Sequence, residues 1–183
     1  MKKSGCQSVF FGIESGDQYI LDNIIGKSLN LKDVVKVAKM CKDIGLKTAA
    51  FYIIGFPGEK KENMLKTVEF ALRLKKEFDV GMLLHVATPS LGTRLFTECT
   101  EKEYIQENLT SRAFAEVRQT RGMPLIRTED FTPTEVKEIA SMAIKRYKRL
   151  SLINHIKSPK KTLKTALSQP KIIIKYIKKL PSA

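Results

Sequence analysis

The chain has 183 residues, 33 Lys and Arg against 19 Asp and Glu, a formal net charge of +14 and a hydrophobic fraction of 43%. That length suits one domain, or one with a small appendage, and that apolar content supports a buried core, which excludes a disordered chain. No apolar run approaches the roughly 18 residues of a membrane span, and no apolar signal core follows Met1-Lys2-Lys3-Ser4-Gly5-Cys6, so the expected location is the cytoplasm.

In chain order, Val9-Phe10-Phe11 is β-branched and aromatic and stops at Gly12, which predicts a buried strand with both phenylalanines in the core. Asp17 to Ile25 reads as a short helix with Ile20, Leu21, Ile24 and Ile25 on one side. A second helix starts at Asn30, whose side chain suits the N-cap, with Asp33 near the positive end of the dipole. Val34, Val37, Ala38, Cys41 and Ile44 recur at helical spacing until Gly45 ends it. Ala49 to Ile54 is apolar throughout, which predicts a strand covered on both faces. Gly55-Phe56-Pro57-Gly58 breaks it, and a long helix follows from about Lys61 to Lys76 with Met64, Val68, Ala71 and Leu72 inward. Val80 to Ala87 is the third strand.

Residues 99–131 are mixed, with helices expected near Glu101 to Leu109 and Arg112 to Gln119. Thr132-Pro133-Thr134-Glu135 is a strong helix start, with a capping Thr, Pro at the first position and Glu at the third. That helix should run to about His155, with Pro159 and Pro170 dividing the remainder into two shorter basic helices. Strand, helix, strand, helix, strand predicts an α/β fold with three parallel strands joined by right-handed crossovers, followed by a helical region. The expected organisation is residues 1–98, a connecting segment 99–131, and a basic extension 132–183.

Charge is unevenly placed. From Ile139 to the end there are twelve Lys or Arg and no Asp or Glu, leaving an excess of +2 on the 138 residues before them. Three readings of the tail stay open: a solvated helical face, contact with an anionic membrane surface, and contact with RNA. The membrane reading draws on Ile172, Ile173, Ile174, Tyr176 and Ile177 set among Lys171, Lys175, Lys178 and Lys179. The cysteines Cys6, Cys41 and Cys99 are far apart and odd in number, so buried free thiols are expected rather than disulfides. There is no Cys-x-x-Cys spacing, and His85 and His155 are the only histidines, which argues against a metal site built from this chain alone.

Ligands in parallel α/β folds bind where strands end and lead into helices. Three segments stand there: Gly12-Ile13-Glu14-Ser15-Gly16, Gly55-Phe56-Pro57-Gly58-Glu59 and Thr88-Pro89-Ser90-Leu91-Gly92-Thr93. Glu14 offers two acceptor oxygens, suited to a pair of hydroxyls such as those of a ribose, and equally suits a helix start. Glu59 reads as a helix N-terminal acid or a ligand, His85 as a core histidine or a base, and Arg94 as a solvated cation or an anion contact.

The order and spacing of these segments resemble the radical S-adenosylmethionine (SAM) enzymes, in the group with oxygen-independent coproporphyrinogen oxidase, the methylthiotransferases and the cobalamin-dependent enzymes. Phe11 to Gly16 is similar to the end of that family's fourth strand, Leu21 and Lys27 to residues of the helix after it, Ile54 to Glu59 to the end of the fifth strand, and Thr88 to Thr93 to the end of the sixth. The likeness covers about residues 1–100, and the helices after Pro133 are similar, more loosely, to the C-terminal extension of cobalamin-dependent members.

The resemblance implies an incomplete (β/α) barrel in which a [4Fe-4S] cluster reductively cleaves SAM. It implies that Glu14 hydrogen-bonds the SAM ribose with Ser15 nearby, that Ile53 to Gly55 meet the adenine, that Gly58 and Glu59 shape the turn above it, and that Val86 to Thr88 line the pocket floor. This sequence departs from the family in lacking the Cys-x-x-x-Cys-x-x-Cys motif, the first three strands and any cobalamin-binding domain. The expectation is a family fragment, inactive alone, with no catalytic or metal-ligating residue of its own and an exposed edge on its first strand. A missing N-terminal half or its equivalent would then be its partner. A subunit of a split enzyme and a non-catalytic membrane- or RNA-binding module are the alternatives. Substrate and reaction type stay open.

Overall fold

The computed structural model describes residues 1–105 and 124–156. After a 3-10 turn at Lys2–Ser4 come β1 (Ser8–Glu14), a π-helix (Ile20–Ile25), α1 (Leu31–Asp43), β2 (Lys47–Ile54), α2 (Lys61–Phe78), β3 (Gly81–Val86), α3 (Arg94–Glu101) and α4 (Pro133–Ile156). The chain divides into two compact units, Met1–Tyr147 and Lys148–Ala183. Residues 148–156, the described part of the second, are helical. The sheet lies in the first unit.

Its three strands are parallel, in the order β1-β2-β3. This is the α/β arrangement the alternating pattern predicts, an open sheet with helices between its strands, consistent with an incomplete barrel. Local chemistry sets the crossovers. Asn30 caps α1 by accepting from Lys32 N–H at 2.9 Å. At α4, Thr132 and Glu135 form the expected reciprocal box: Thr132 N–H donates to Glu135 Oε2 at 2.8 Å and Glu135 N–H to Thr132 Oγ1 at 3.4 Å.

The two faces of the sheet differ. Ile13, Ala50, Tyr52, Ile54 and Met82 are buried on the helix side. On the other side Phe10 is 61% exposed, Phe51 37%, and His85 is exposed too. This corrects three expectations: β2 is covered on one face among the described residues, Phe10 is not core, and His85 is not a core histidine. An apolar run shows that a strand tolerates burial on both faces; whether a second layer is present is decided by tertiary structure. Phe10, Phe51 and His85 form a row across the three strands, with ring centroids 6.1 and 5.9 Å apart.

Burial on the helix side carries the stability. Ile20 and Leu21 are fully buried, as are Met64, Val68 and Leu74 of α2, each contributing about 1.5–3 kcal/mol relative to exposure. A second cluster joins Ile54, Met64, Ala87, Cys99, Ile105, Ile126, Phe131 and Val136, so the start of α4 packs into the same core as the end of β2. A helix the sequence did not announce, α3, ends at Glu101; Lys102–Ile105 are not helical, and the rest of the helix expected near Glu101 to Leu109 lies outside the described residues. Thr93 Oγ1 caps α3 by accepting from Phe96 N–H at 3.2 Å, and Glu103 at φ 55° ends it beyond Lys102. The helix expected near Arg112 to Gln119 and the two basic tail helices lie outside the described residues. Among the described residues, no helix is long and apolar enough to cross a membrane.

Candidate functional site

Parallel strands in register bring their C-terminal ends to one rim. Glu14 stands opposite Tyr52, Ile54 opposite Val86, and Ala87 N–H donates to Ile54 O at 2.9 Å. The Glu14, Gly55 and Thr88 segments are therefore neighbours.

The turn after β1 is irregular. The register shifts between Gly12 and Glu14, a bulge that re-aims the side chains beyond it. Glu14 has φ 69°, and Ser15 N–H donates to Ile13 O at 3.0 Å. This is a three-residue turn with a non-glycine at positive φ, the rare and strained form, costing about 1 kcal/mol or more. Its consequence is a carboxylate at the rim with its side chain 23% exposed. Lys27 Nζ donates to Glu14 Oε1 at 3.1 Å and to Gly12 O at 2.5 Å. Among the described residues, Glu14 Oε2 has no partner.

The next two residues face inward. Ser15 is fully buried; its Oγ shares a hydrogen bond with Thr67 Oγ1 at 3.0 Å and accepts from Asp17 N–H at 3.1 Å. Gly16 N–H donates to Thr67 Oγ1 at 3.0 Å. A Cβ at Gly16 would stand 2.6 Å from Phe70 Cβ and 2.8 Å from Thr67 Cα, so only glycine lets the turn lie this close to α2. Asp17 accepts from Asn63 Nδ2 at 2.7 Å and Lys66 Nζ at 2.9 Å. Burial acts to raise its pKa, but the hydrogen bonds from Asn63, Lys66 and Tyr19 N–H outweigh it and hold the carboxyl below its ordinary value.

The turn after β2 uses its carboxylate differently. Glu59 is fully buried, and its Oε2 accepts from Gly55 N–H at 2.7 Å and Phe56 N–H at 3.0 Å. Its Oε1 is buried and, among the described residues, has no partner. Burial pushes the Glu59 carboxyl up to about 7, against the two backbone hydrogen bonds and with a contribution from the negative charge of Asp17. Gly55 at φ 88° is covered by Val136 of α4, whose Cγ1 would lie 3.2 Å from a Cβ there. Gly58 has φ 84°, with Ile24 of the π-helix beside it. Ile53 is half-buried and paired in register with His85, on the open face. Thr88, half-buried, donates from Oγ1 to Val86 O at 3.2 Å.

The rim thus gathers Glu14, Gly55, Gly58 and Thr88. Ser15 and Glu59 lie beneath it, each committed to holding a turn. Sequence reading gave no role to Asp17, Asn63, Lys66 or Val136, which brace the two turns from elements distant in the chain; nothing local in the sequence signals those contacts.

The profile of the Radical SAM superfamily matches residues 1–71. Residues 1–71 belong to the radical SAM superfamily. A wider stretch is similar to an uncharacterised methyltransferase of Pyrococcus horikoshii, 32% identical over 143 residues, which is 78% of this chain and 29% of that protein. The cytidylyl-2-hydroxyethylphosphonate methyltransferase of Streptomyces wedmorensis is 31% identical over 111 residues, 57% of this chain and 20% of that protein. A Methanocaldococcus jannaschii protein named as a methylthiotransferase is 37% identical over 87 residues, 48% of this chain and 18% of that protein. The chain spans less than a third of the length of these relatives.

The family implies SAM and a [4Fe-4S] cluster. Glu14 fits the SAM ribose: a carboxylate at the rim, with one oxygen unpaired among the described residues, offers an acceptor to a hydroxyl donor. The cluster does not fit the described residues. Cys6 stands before β1, Cys41 is buried on α1 and Cys99 is buried on α3. Burial pushes the Cys99 thiol up to about 11, away from the thiolate a metal needs. Among the described residues no group of three or more His, Cys, Asp or Glu converges as metal ligands.

Proposed function

We propose that the strand-end rim of Glu14, Gly55, Gly58 and Thr88 is the ribose and adenine side of a SAM pocket in a methyltransferase-type radical SAM enzyme. In this reading the cluster is held by a cysteine motif that these 183 residues do not contain. The observation that carries it is Glu14, a strained residue at a strand end with Oε2 unpaired among the described residues. The two methyltransferase relatives support the reaction class. Ile53 supplies apolar surface below the adenine position, and Ser15 and Glu59 hold the turns that carry the pocket. When bound to its cluster, SAM supplies radical chemistry; the residues here bind and orient it. The cobalamin-dependent branch is the subgroup we assign, on the likeness of the helices after Pro133 to its members' extensions, with cobalamin held by a domain these residues do not contain.

The test is reconstitution with iron and sulfide, followed by SAM binding. We expect no cluster absorbance from this chain alone, and both the cluster and SAM cleavage when a polypeptide with the Cys-x-x-x-Cys-x-x-Cys segment is co-expressed. A stoichiometric cluster on the chain alone overturns the reading.

A second reading concerns residues 139–183, where twelve cations stand with no acid. The interleaved isoleucines favour an anionic membrane surface, with RNA as the other outcome. Vesicle and RNA binding at two salt concentrations decides it, and salt-insensitive or absent binding to both removes it.

A further inference from the structure

The ribose reading uses Glu14 and gives Lys27 no task. Lys27 follows the π-helix, where its N–H donates to Leu21 O at 2.8 Å and Gly26, at φ 70°, turns the chain back. That return carries Nζ to the end of β1, where it donates to Gly12 O at 2.5 Å and Glu14 Oε1 at 3.1 Å. Both acceptors belong to the same turn. A Cβ at Gly12 would stand 2.7 Å from Glu14 Oε1 and 3.2 Å from Lys27 Nζ. Gly12 has no positive φ to explain it; its missing side chain is the space the pair occupies. The pair is partly buried, with Lys27 34% and Glu14 23% exposed, so solvent screens it less than a surface ion pair. A π-turn at a ligand rim and a strained residue at positive φ are features that persist where surrounding structure and function require them.

We propose that Lys27 is the positioning residue of this turn: by bridging Gly12 O and Glu14 Oε1 it fixes the Glu14 side chain and leaves Oε2 as the acceptor presented to the ribose. The proposal rests on the SAM reading above and adds which atom of Glu14 meets the hydroxyls and which residue aims it. Charge-assisted bonds from one ammonium to two acceptors hold a carboxylate more firmly than either alone.

Two measurements on the full chain separate the proposal from the reading beneath it. The first needs no ligand: Glu14→Ala should shift the side-chain nitrogen resonance of Lys27 and speed exchange of its protons. An unchanged resonance overturns the bridge. The second titrates adenosine, 2′,3′-dideoxyadenosine and S-adenosylhomocysteine. Lys27→Met keeps the apolar stem and should weaken adenosine about tenfold, as Glu14→Gln does, with the double variant no weaker than either. Dideoxyadenosine should be unaffected, and Lys27→Arg should recover part of the loss. Equal adenosine affinity in wild type and Lys27→Met overturns the positioning role and leaves the SAM reading standing. So does a loss confined to S-adenosylhomocysteine, because Lys27 would then act on the ligand's own carboxylate. If the wild type binds none of the three, the SAM reading falls, and the positioning role falls with it.

Discussion

The turns after β1 and β2 each contain a glutamate, and they place it oppositely. Glu14 is at the rim, at positive φ, paired on one oxygen by Lys27. Glu59 is beneath the rim, fully buried, with one oxygen holding two backbone N–H groups and the other unpaired among the described residues. The first turn strains its backbone to present a carboxylate outward. The second buries a carboxylate to relieve its backbone, whose N–H groups would otherwise be unmet. A strand-end glutamate is therefore not a ligand by position; what its oxygens already hold decides its task.

The largest expected difference follows from this contrast. Glu59→Ala should cost about 3 kcal/mol in urea unfolding, because it leaves two inward N–H groups unsatisfied and opens a cavity. Glu14→Ala should change stability by no more than about 0.5 kcal/mol. Equal losses would break the comparison.

Nearly as large is a pH effect confined to Glu59. Its folded-state pKa lies at about 7, raised from the ordinary 4.5. Its neutral form is the one folding favours, so its contribution is fully present below 4.5 and is lost as pH rises through about 7. The span corresponds to about 3 kcal/mol. Melting temperatures across that window should fall with rising pH in wild type and lose most of that slope in Glu59→Gln, which keeps one oxygen for the two N–H groups. A slope unchanged in the variant would assign the titration elsewhere.

Tyr52, the register partner of Glu14, has a buried hydroxyl with no partner among the described residues, and burial raises its pKa. Tyr52→Phe should raise stability by about 1 kcal/mol, measured by urea unfolding, since a polar group is removed without stranding another. A loss instead would reveal a partner for the hydroxyl. The smallest effect sharpens the strain argument. Glu14→Gly should stabilise by roughly 0.5 kcal/mol, the relief at positive φ exceeding the loss of the Lys27 pair, while abolishing adenosine binding. Stability and binding moving in the same direction would remove strain as the reason for the conformation.

Much of this was legible in the sequence, in places where the cause is local. The caps at Asn30 and Thr132 were readable because the partners of a capping side chain lie two or three residues away. Strand and helix alternation was readable because each period is short. The start of α3 was not legible: Thr93 was read only as the last residue of a strand-end segment, although its side chain caps the helix. The burial of Ser15 and Glu59 beneath the rim was legible only in part, since Glu59 read equally as a helix-start acid.

By itself, the sequence determined the parallel α/β pattern, the three strand-end segments and, through their order, the radical SAM relationship. Each depends on neighbours along the chain or on spacing. Tertiary structure alone decided which face of the sheet is covered, which glutamate points out, and which lysine reaches it. Those depend on the bulge at Glu14, the π-helix that returns Lys27, and α2 and α4 closing over the turns, contacts between residues 13 to more than 50 positions apart. No local pattern encodes such distances; they follow from how the elements pack.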